Sequence, residues 1–156
     1  MALPAYIELY DCEGLQIQGG SQVAEREGTV ETLAFHHCIA LSYDPDLGVI
    51  TSLPKHAPAI FVKPIDASSP YLMKACCTGR TFAKVLIHWY KIDAGGSERL
   101  YFRHELKDAR ISSIKMKMHN VKELKRENTP PLEQIAMRYS SIKWEHMSGN
   151  VFGLSA

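Results

Sequence analysis

Hydrophobic and polar residues alternate along most of this chain, and the alternation changes phase several times. In Tyr6–Tyr10, Ile7 and Leu9 share one face while Tyr6, Glu8 and Tyr10 share the other, which is the period of a β-strand. Gly14, Gly19, Gly20 and Ser21 then punctuate a turn-rich segment. The longest alternation runs from Leu33 to Tyr43. Leu33, Phe35, His37, Ile39, Leu41 and Tyr43 hold one parity, predicting one strand with that face on a core. Val30 is out of phase with them, so a bulge is expected near Glu31–Thr32. Thr81–Ile92 places Ala83, Val85, Ile87 and Trp89 on one face, and Asp93-Ala94-Gly95-Gly96-Ser97 reads as a hairpin loop into Leu100, Phe102, His104 and Leu106. Ala109–Met118 follows, with a bulge expected at Ser112–Ser113 because Ile111 is out of phase with Ile114 and Met116. A last strand, about Ile135–His146, changes parity between Tyr139 and Ile142, so a bulge is expected near Ser140–Ser141.

Two segments break the strand period. Asp44–Pro58 contains Pro45, Gly48, Pro54 and Pro58, which preclude a central strand. It also carries Leu47, Val49, Ile50 and Leu53, so this long extended loop is expected to dock on something. Ser69–Thr78 is the predicted helix. Ser69 is assigned as its N-cap, Pro70 as its first residue and Gly79 as the left-handed residue after it. Leu72, Met73, Cys76 and Cys77 would form its apolar face. About eight strands and one helix predict a mainly β protein: an antiparallel barrel or sandwich of two sheets with one short flanking helix. Repeated bulges suit a sheet that bends enough to close.

The 156 residues are most simply a single domain, 1–156. A hydrophobic content of 46 % allows a real core, and a net charge of +1 gives no global attraction to nucleic acid or anionic membrane. No run approaches the ~18 apolar residues of a membrane span. Met1–Tyr6 lacks the basic and apolar regions of an export signal, so the protein is expected to stay in the cytosol or to leave by a route that does not read one. Cys12, Cys38, Cys76 and Cys77 form no CxxC pair and are read as thiols, most of them packing residues.

No catalytic or nucleotide-binding motif is present. His36 and Cys38 share a strand face, but a metal needs further ligands that the sequence does not name. His104 falls on its strand's apolar parity and is expected to be a hydrogen-bonded interior histidine. Glu105, Asp108, Asp93 and Glu98 fall at strand ends and turns, so neither a catalytic residue nor a cofactor is expected. Lys115, Lys117, His119, Lys122, Lys125 and Arg126 form a basic run with Met116 and Met118 between them. It reads either as a binding face or as a solvated strand end. No aromatic residue interleaves to stack on bases, so no nucleic-acid partner is expected.

Three blocks resemble one family. Pro4-Ala5-Tyr6-Ile7-Glu8-Leu9 is similar to its first strand. Phe61 to Gly79, with Lys63, Ile65-Asp66, Ser68-Ser69-Pro70, Leu72-Met73 and Ala75-Cys76, is similar to its strand, cap and helix. Thr81–Tyr90, Gly95-Gly96, Tyr101-Phe102, Glu105–Ala109 and Ile111–Ile114 are similar to its hairpin and following strand. Together they resemble Hcp, the hemolysin-coregulated protein of the type VI secretion inner tube. The resemblance implies a homohexameric ring of barrels with flanking helices, stacked into a tube. It implies as partners a contractile sheath, a spike protein and small effectors carried in the ring lumen. Assembly in the bacterial cytoplasm and export without a signal peptide are implied too, and no C-terminal toxin extension is expected. Leu47, Val49, Ile50 and Leu53 are the candidate axial contact between rings. The resemblance puts Lys115, Met116, Lys117 and Met118 towards the lumen. A monomeric ligand-binding barrel and an unrecognised hydrolase remain the alternatives.

Overall fold

The computed structural model describes residues 2–155. Its main sheet is antiparallel throughout. Strand β1 (Ala5–Tyr10) pairs with β2 (Gln16–Ile17), with β3 (Val30–Thr32) and with β8 (Thr81–Ile92). Strand β8 pairs with β9 (Glu98–Lys117), β9 with β10 (Leu132–Arg138), β10 with β7 (Ala59–Pro64), and β7 with β4 (Ala34–His36). Only Leu33 separates β3 from β4, and its N–H donates to Val62 O at 2.8 Å. One bent stretch therefore pairs first with β1 and then with β7, which closes the path into a barrel. The irregularity expected at Glu31–Thr32 is this change of partner at Leu33.

Strand β9 is twenty residues long. Its first half pairs with β8 through the Asp93–Ser97 hairpin, where Asp93 Oδ1 accepts the N–H groups of Gly95 and Ser97. Its other edge is lined by β11 (Ser141–His146) and then β10, and β12 (Val151–Ser155) pairs on the far side of β11. The expected bulge at Ser112 is present. Ala136 opposes Ser113 and Met137 opposes Ile111, leaving Ser112 extra, with its hydroxyl donating to Ala136 O. The single strand expected over Ile135–His146 is two strands, interrupted at Tyr139–Ser140. Strand β12 had no counterpart in the periodicity.

Ile7, Leu9, Phe61, Phe82, Val85, Ile87, Leu106, Ile135, Met137 and Ile142 fill the interior. Helix α1 (Ser69–Thr78) lays Leu72 and Ala75 on this core, and Tyr71 meets Phe82 edge to face. Its buried face is thus Ser69, Leu72 and Ala75, rotated from the expected Leu72, Met73, Cys76 and Cys77. Gly79 is left-handed at φ 66°, and the Gly79 and Arg80 N–H groups close on Cys76 O and Ala75 O. At the other end Ser68, not Ser69, stands at the N-cap, which moves Pro70 to the second helical position.

The reason lies beneath the helix. Lys63, fully buried, points its ammonium at Glu133 Oε2 (2.7 Å), Asp66 Oδ1 (2.9 Å), Ser69 Oγ (3.1 Å) and Pro64 O (3.0 Å). The Ser69 hydroxyl accepts from Lys63 and from Asp66 N and donates to Glu133, so it cannot cap the first turn. No side chain caps the first turn; Asp66 instead fixes the N-cap residue by accepting from Ser68 N and from the Ser68 hydroxyl. Burial alone would raise the Asp66 carboxyl. Its bonds from Ser68 and Lys63 outweigh burial and hold it below the ordinary value.

The four cysteines are free thiols, but three are exposed and Cys76 is half-buried. The expected packing role is therefore not theirs: Leu72 and Ala75 take the helix contacts instead.

Candidate assembly surfaces

The segment predicted as the second half of one long strand is a projecting arm. After β4 the chain leaves the barrel, and β5 (Ile39–Ala40) pairs with β6 (Lys55–His56) in a separate two-stranded sheet. Ala57 N–H donates to Cys38 O, Thr51 N–H to Ser42 O and Asp44 N–H to Val49 O, with Tyr43 bridged to Ile50. The tip turns at Gly48, left-handed at φ 67°, and Asp44 Oδ1 accepts from Asp46 N–H. The expected loop of 44–58 is therefore an ordered hairpin that starts earlier, near Cys38. Alternation continues through it because a hairpin limb is also a strand.

Its apolar residues cover no core. Leu47 is 76 % exposed and Leu53 85 %, and Leu41, Tyr43, Val49 and Ile50 are also exposed. Of the residues expected to face a core, Phe35 packs edge to face with Trp89 and half-buried His37 meets Tyr139. Leu33 and Ile39 are exposed. A side chain on a hairpin that stands off the barrel has only solvent or another molecule to touch.

The arm is fixed at its root. The Tyr139 hydroxyl lies 2.6 Å from His37 Nε2 on the outgoing limb and 2.7 Å from His56 Nδ1 on the returning one. A hydroxyl has one proton, so with both imidazoles neutral it donates to one ring and accepts N–H from the other. Burial pushes the Tyr139 hydroxyl up to about 12. Burial, then the nearby His56 and His36, push His37 below its ordinary value. Tyr139 and His37 are thus both biased towards their neutral forms. The clamp joins residues distant in the chain, and no local pattern could have announced it.

A second surface lies at the end of β9. Lys115, Met116, Lys117 and Met118 are all exposed. Lys115 opposes Gln134, which opposes Val62, so Lys115 shares a face with both. A cavity of about 420 Å³ is lined by Val62, Lys115, Met116, Lys117, Leu132 and Gln134, together with His119. It is an amphipathic hollow with a basic rim.

Most residues weighed for chemistry have partners, but Glu105 and Asp108 lie within β9 rather than at a strand end, and Asp108 is exposed, left-handed at φ 50° and in no ion pair among the described residues. His104 accepts from Trp89 Nε1 at 2.9 Å, and burial first, then His37, bring its pKa down to about 4. Glu105 pairs with Lys143, Glu98 with Arg26 and Asp93 with Arg99. His36 and Cys38 are exposed, and among the described residues no group of three or more metal-ligating side chains converges. No described helix is long and apolar enough to cross a membrane.

A closed β-barrel with one helix keyed onto it and a clamped, outward-facing apolar arm defines a mainly β structural module. Known proteins share its sequence pattern and its fold. Residues 6–146 match the family described as "Type VI secretion system effector, Hcp". The chain is 30 % identical to the "Major exported protein" of Pseudomonas aeruginosa, over 94 % of this chain and 90 % of that one. Among solved structures, a double mutant of the Hcp1 protein from E. coli EAEC 042 superposes with a TM-score of 0.89, at 34 % identity over 99 % of both chains. The secreted protein Hcp3 from Pseudomonas aeruginosa superposes with a TM-score of 0.77, at 27 % identity over 99 % of this chain and 98 % of that one. The chain belongs to the Hcp family of type VI secretion proteins. These are structural, secreted tube proteins and not enzymes.

Proposed function

We propose that this chain works as a single barrel domain that assembles into homohexameric rings, and that the rings stack into the inner tube of a type VI secretion system. The ring would be built in the bacterial cytoplasm and expelled, on contraction of a surrounding sheath behind a spike protein, into the medium or a target cell. The observation that carries this reading is the arm: an ordered hairpin whose Leu47, Val49, Ile50 and Leu53 all face outward. Contiguous exposed apolar residues on a rigid element favour a protein contact over solvent. A ring contact is heterologous and closes, whereas an axial contact repeats without closing and grows a tube. Deleting Leu47–Leu53 should leave hexamers, measured by light scattering, and abolish tubes in negative-stain images. Tubes of unchanged length would refute the arm's role.

The hollow beside Lys115, Met116, Lys117 and Met118 supports a second role, retention of small effectors inside the ring. Its basic rim over an apolar floor suits an amphipathic, acidic polypeptide surface. Reversing Lys115 and Lys117 to Glu should release a co-purifying effector; undiminished retention would count against it.

A further inference from the structure

Arg110 and Arg138 stand directly opposite each other on β9 and β10. Like charges at a cross-strand pair repel. Among the described residues, neither guanidinium has a carboxylate within ion-pair distance. Arg110 uses its Nε–H on Thr81 Oγ1, at 2.9 Å, which leaves its terminal nitrogens free. The pair lines a concavity of about 490 Å³ with Thr81, Asp108, Tyr139 and Ser140. A second concavity, of about 260 Å³, shares Arg138 and Tyr139 with it and is walled by Pro54, His56 and Ala57 at the root of the arm. Two unpaired forks that each match a carboxylate therefore adjoin a small apolar ledge.

The arm tip carries the complementary set. Asp44-Pro45-Asp46-Leu47 presents two carboxylates two residues apart, followed by a leucine that is 76 % exposed. Neither aspartate is in an ion pair among the described residues. The tip cannot fold back onto its own arginines. Its root is held at Tyr139, and the six residue-to-residue steps from Cys38 to Asp44 carry it roughly 20 Å away.

We propose that Arg110 and Arg138 are the receptor for the arm tip of a second copy of this chain. Asp44 and Asp46 would pair with the guanidiniums, and Leu47 would lie on the Pro54–Ala57 ledge. This rests on the ring-stacking reading above and names where the arm lands. The contact joins an arm on one subunit to an arm root on another, so it is heterologous, and placed between rings it repeats without closing.

Two full-length variants test it by sedimentation velocity at low ionic strength. Asp44→Asn/Asp46→Lys makes the tip basic while keeping a side-chain oxygen at position 44 to accept the turn's N–H groups; Arg110→Glu/Arg138→Glu makes the receptor acidic. The wild type is expected to show species larger than one ring. Each variant alone should sediment as single rings, and an equimolar mixture should recover the larger species, because a basic tip then meets an acidic receptor. Arg110→Gln/Arg138→Gln, which removes charge without reversing it, should weaken association at least tenfold. It serves in place of the Glu pair if that variant does not form rings. Three outcomes overturn the proposal: a receptor variant that stacks like the wild type, a mixture that fails to recover, or a wild type that shows only single rings. Failure here with loss of stacking on deletion of Leu47–Leu53 would reject the receptor and keep the arm. Stacking that survives the deletion would reject the arm reading itself, and this receptor with it.

Discussion

The strip under helix α1 and the arm invert the usual rule for charged and apolar side chains. Beneath the helix Lys63 and Glu133 are buried, and the lysine is held by four oxygens. On the arm, leucine and isoleucine face outward from a hairpin held by its own backbone bonds and one tyrosine. The difference is one of address. Charges inside the protomer can be matched by named partners within the chain, so they orient the helix on the barrel. Apolar residues on the arm find no cover within the chain, and the proposed contact between rings rests on that exposure.

Removing one member of the buried set should have the largest effect on stability. Lys63→Met leaves Glu133 and Asp66 without their cation, and a buried pair broken from one side costs about 3–5 kcal/mol. Urea unfolding at neutral pH measures it. A loss under about 1 kcal/mol would mean that the network does not hold the helix.

The helix was legible in the sequence because its signals are local: Pro70 near the start, Gly79 at the end, and the Leu72 spacing between them. Which serine caps it was not legible, because Ser69 is recruited by Glu133 from a strand far along the chain. The bulge at Ser112 was readable as a parity change, since an extra residue must flip every later side chain. The arm misled for a related reason. Alternation reports a two-faced ribbon and does not report what covers either face, so Leu41 and Tyr43 read as core while they stand in solvent. The Tyr139 clamp, and the facing of Arg110 with Arg138, arise only when distant strands come into register.

Acid should act inside the barrel before it acts under the helix. The folded His104 titrates near 4 against an ordinary 6.5, so the unfolded chain binds more protons between those values. Its contribution is complete above pH 6.5 and is lost as pH falls towards about 4. His104→Gln should flatten that slope in pH-dependent thermal melts, leaving the smaller drift from His37, which has the same sign. Asp66 is held below its usual 3.8, so its contribution persists above that value and fails only at lower pH. An unchanged slope in the His104 variant would contradict this ordering.

At the arm root, Tyr139→Phe removes two hydrogen bonds and should cost roughly 1–3 kcal/mol. Faster amide exchange at Ala57, whose N–H closes the root on Cys38, would localise the change. Uniformly faster exchange would instead indicate a general loosening of the barrel. The smallest effect on stability is expected at the most exposed position. Leu53→Ser should stay within about 0.5 kcal/mol of the parent while shortening or abolishing stacks, and a larger loss would mean that Leu53 packs within its own chain.

The most direct measurement is light scattering with negative-stain imaging of the full chain and of the chain lacking Leu47–Leu53, side by side. Six-membered rings are expected from both proteins and stacked rings only from the intact chain. A monomer at high concentration, or stacks of equal length from both proteins, would contradict it.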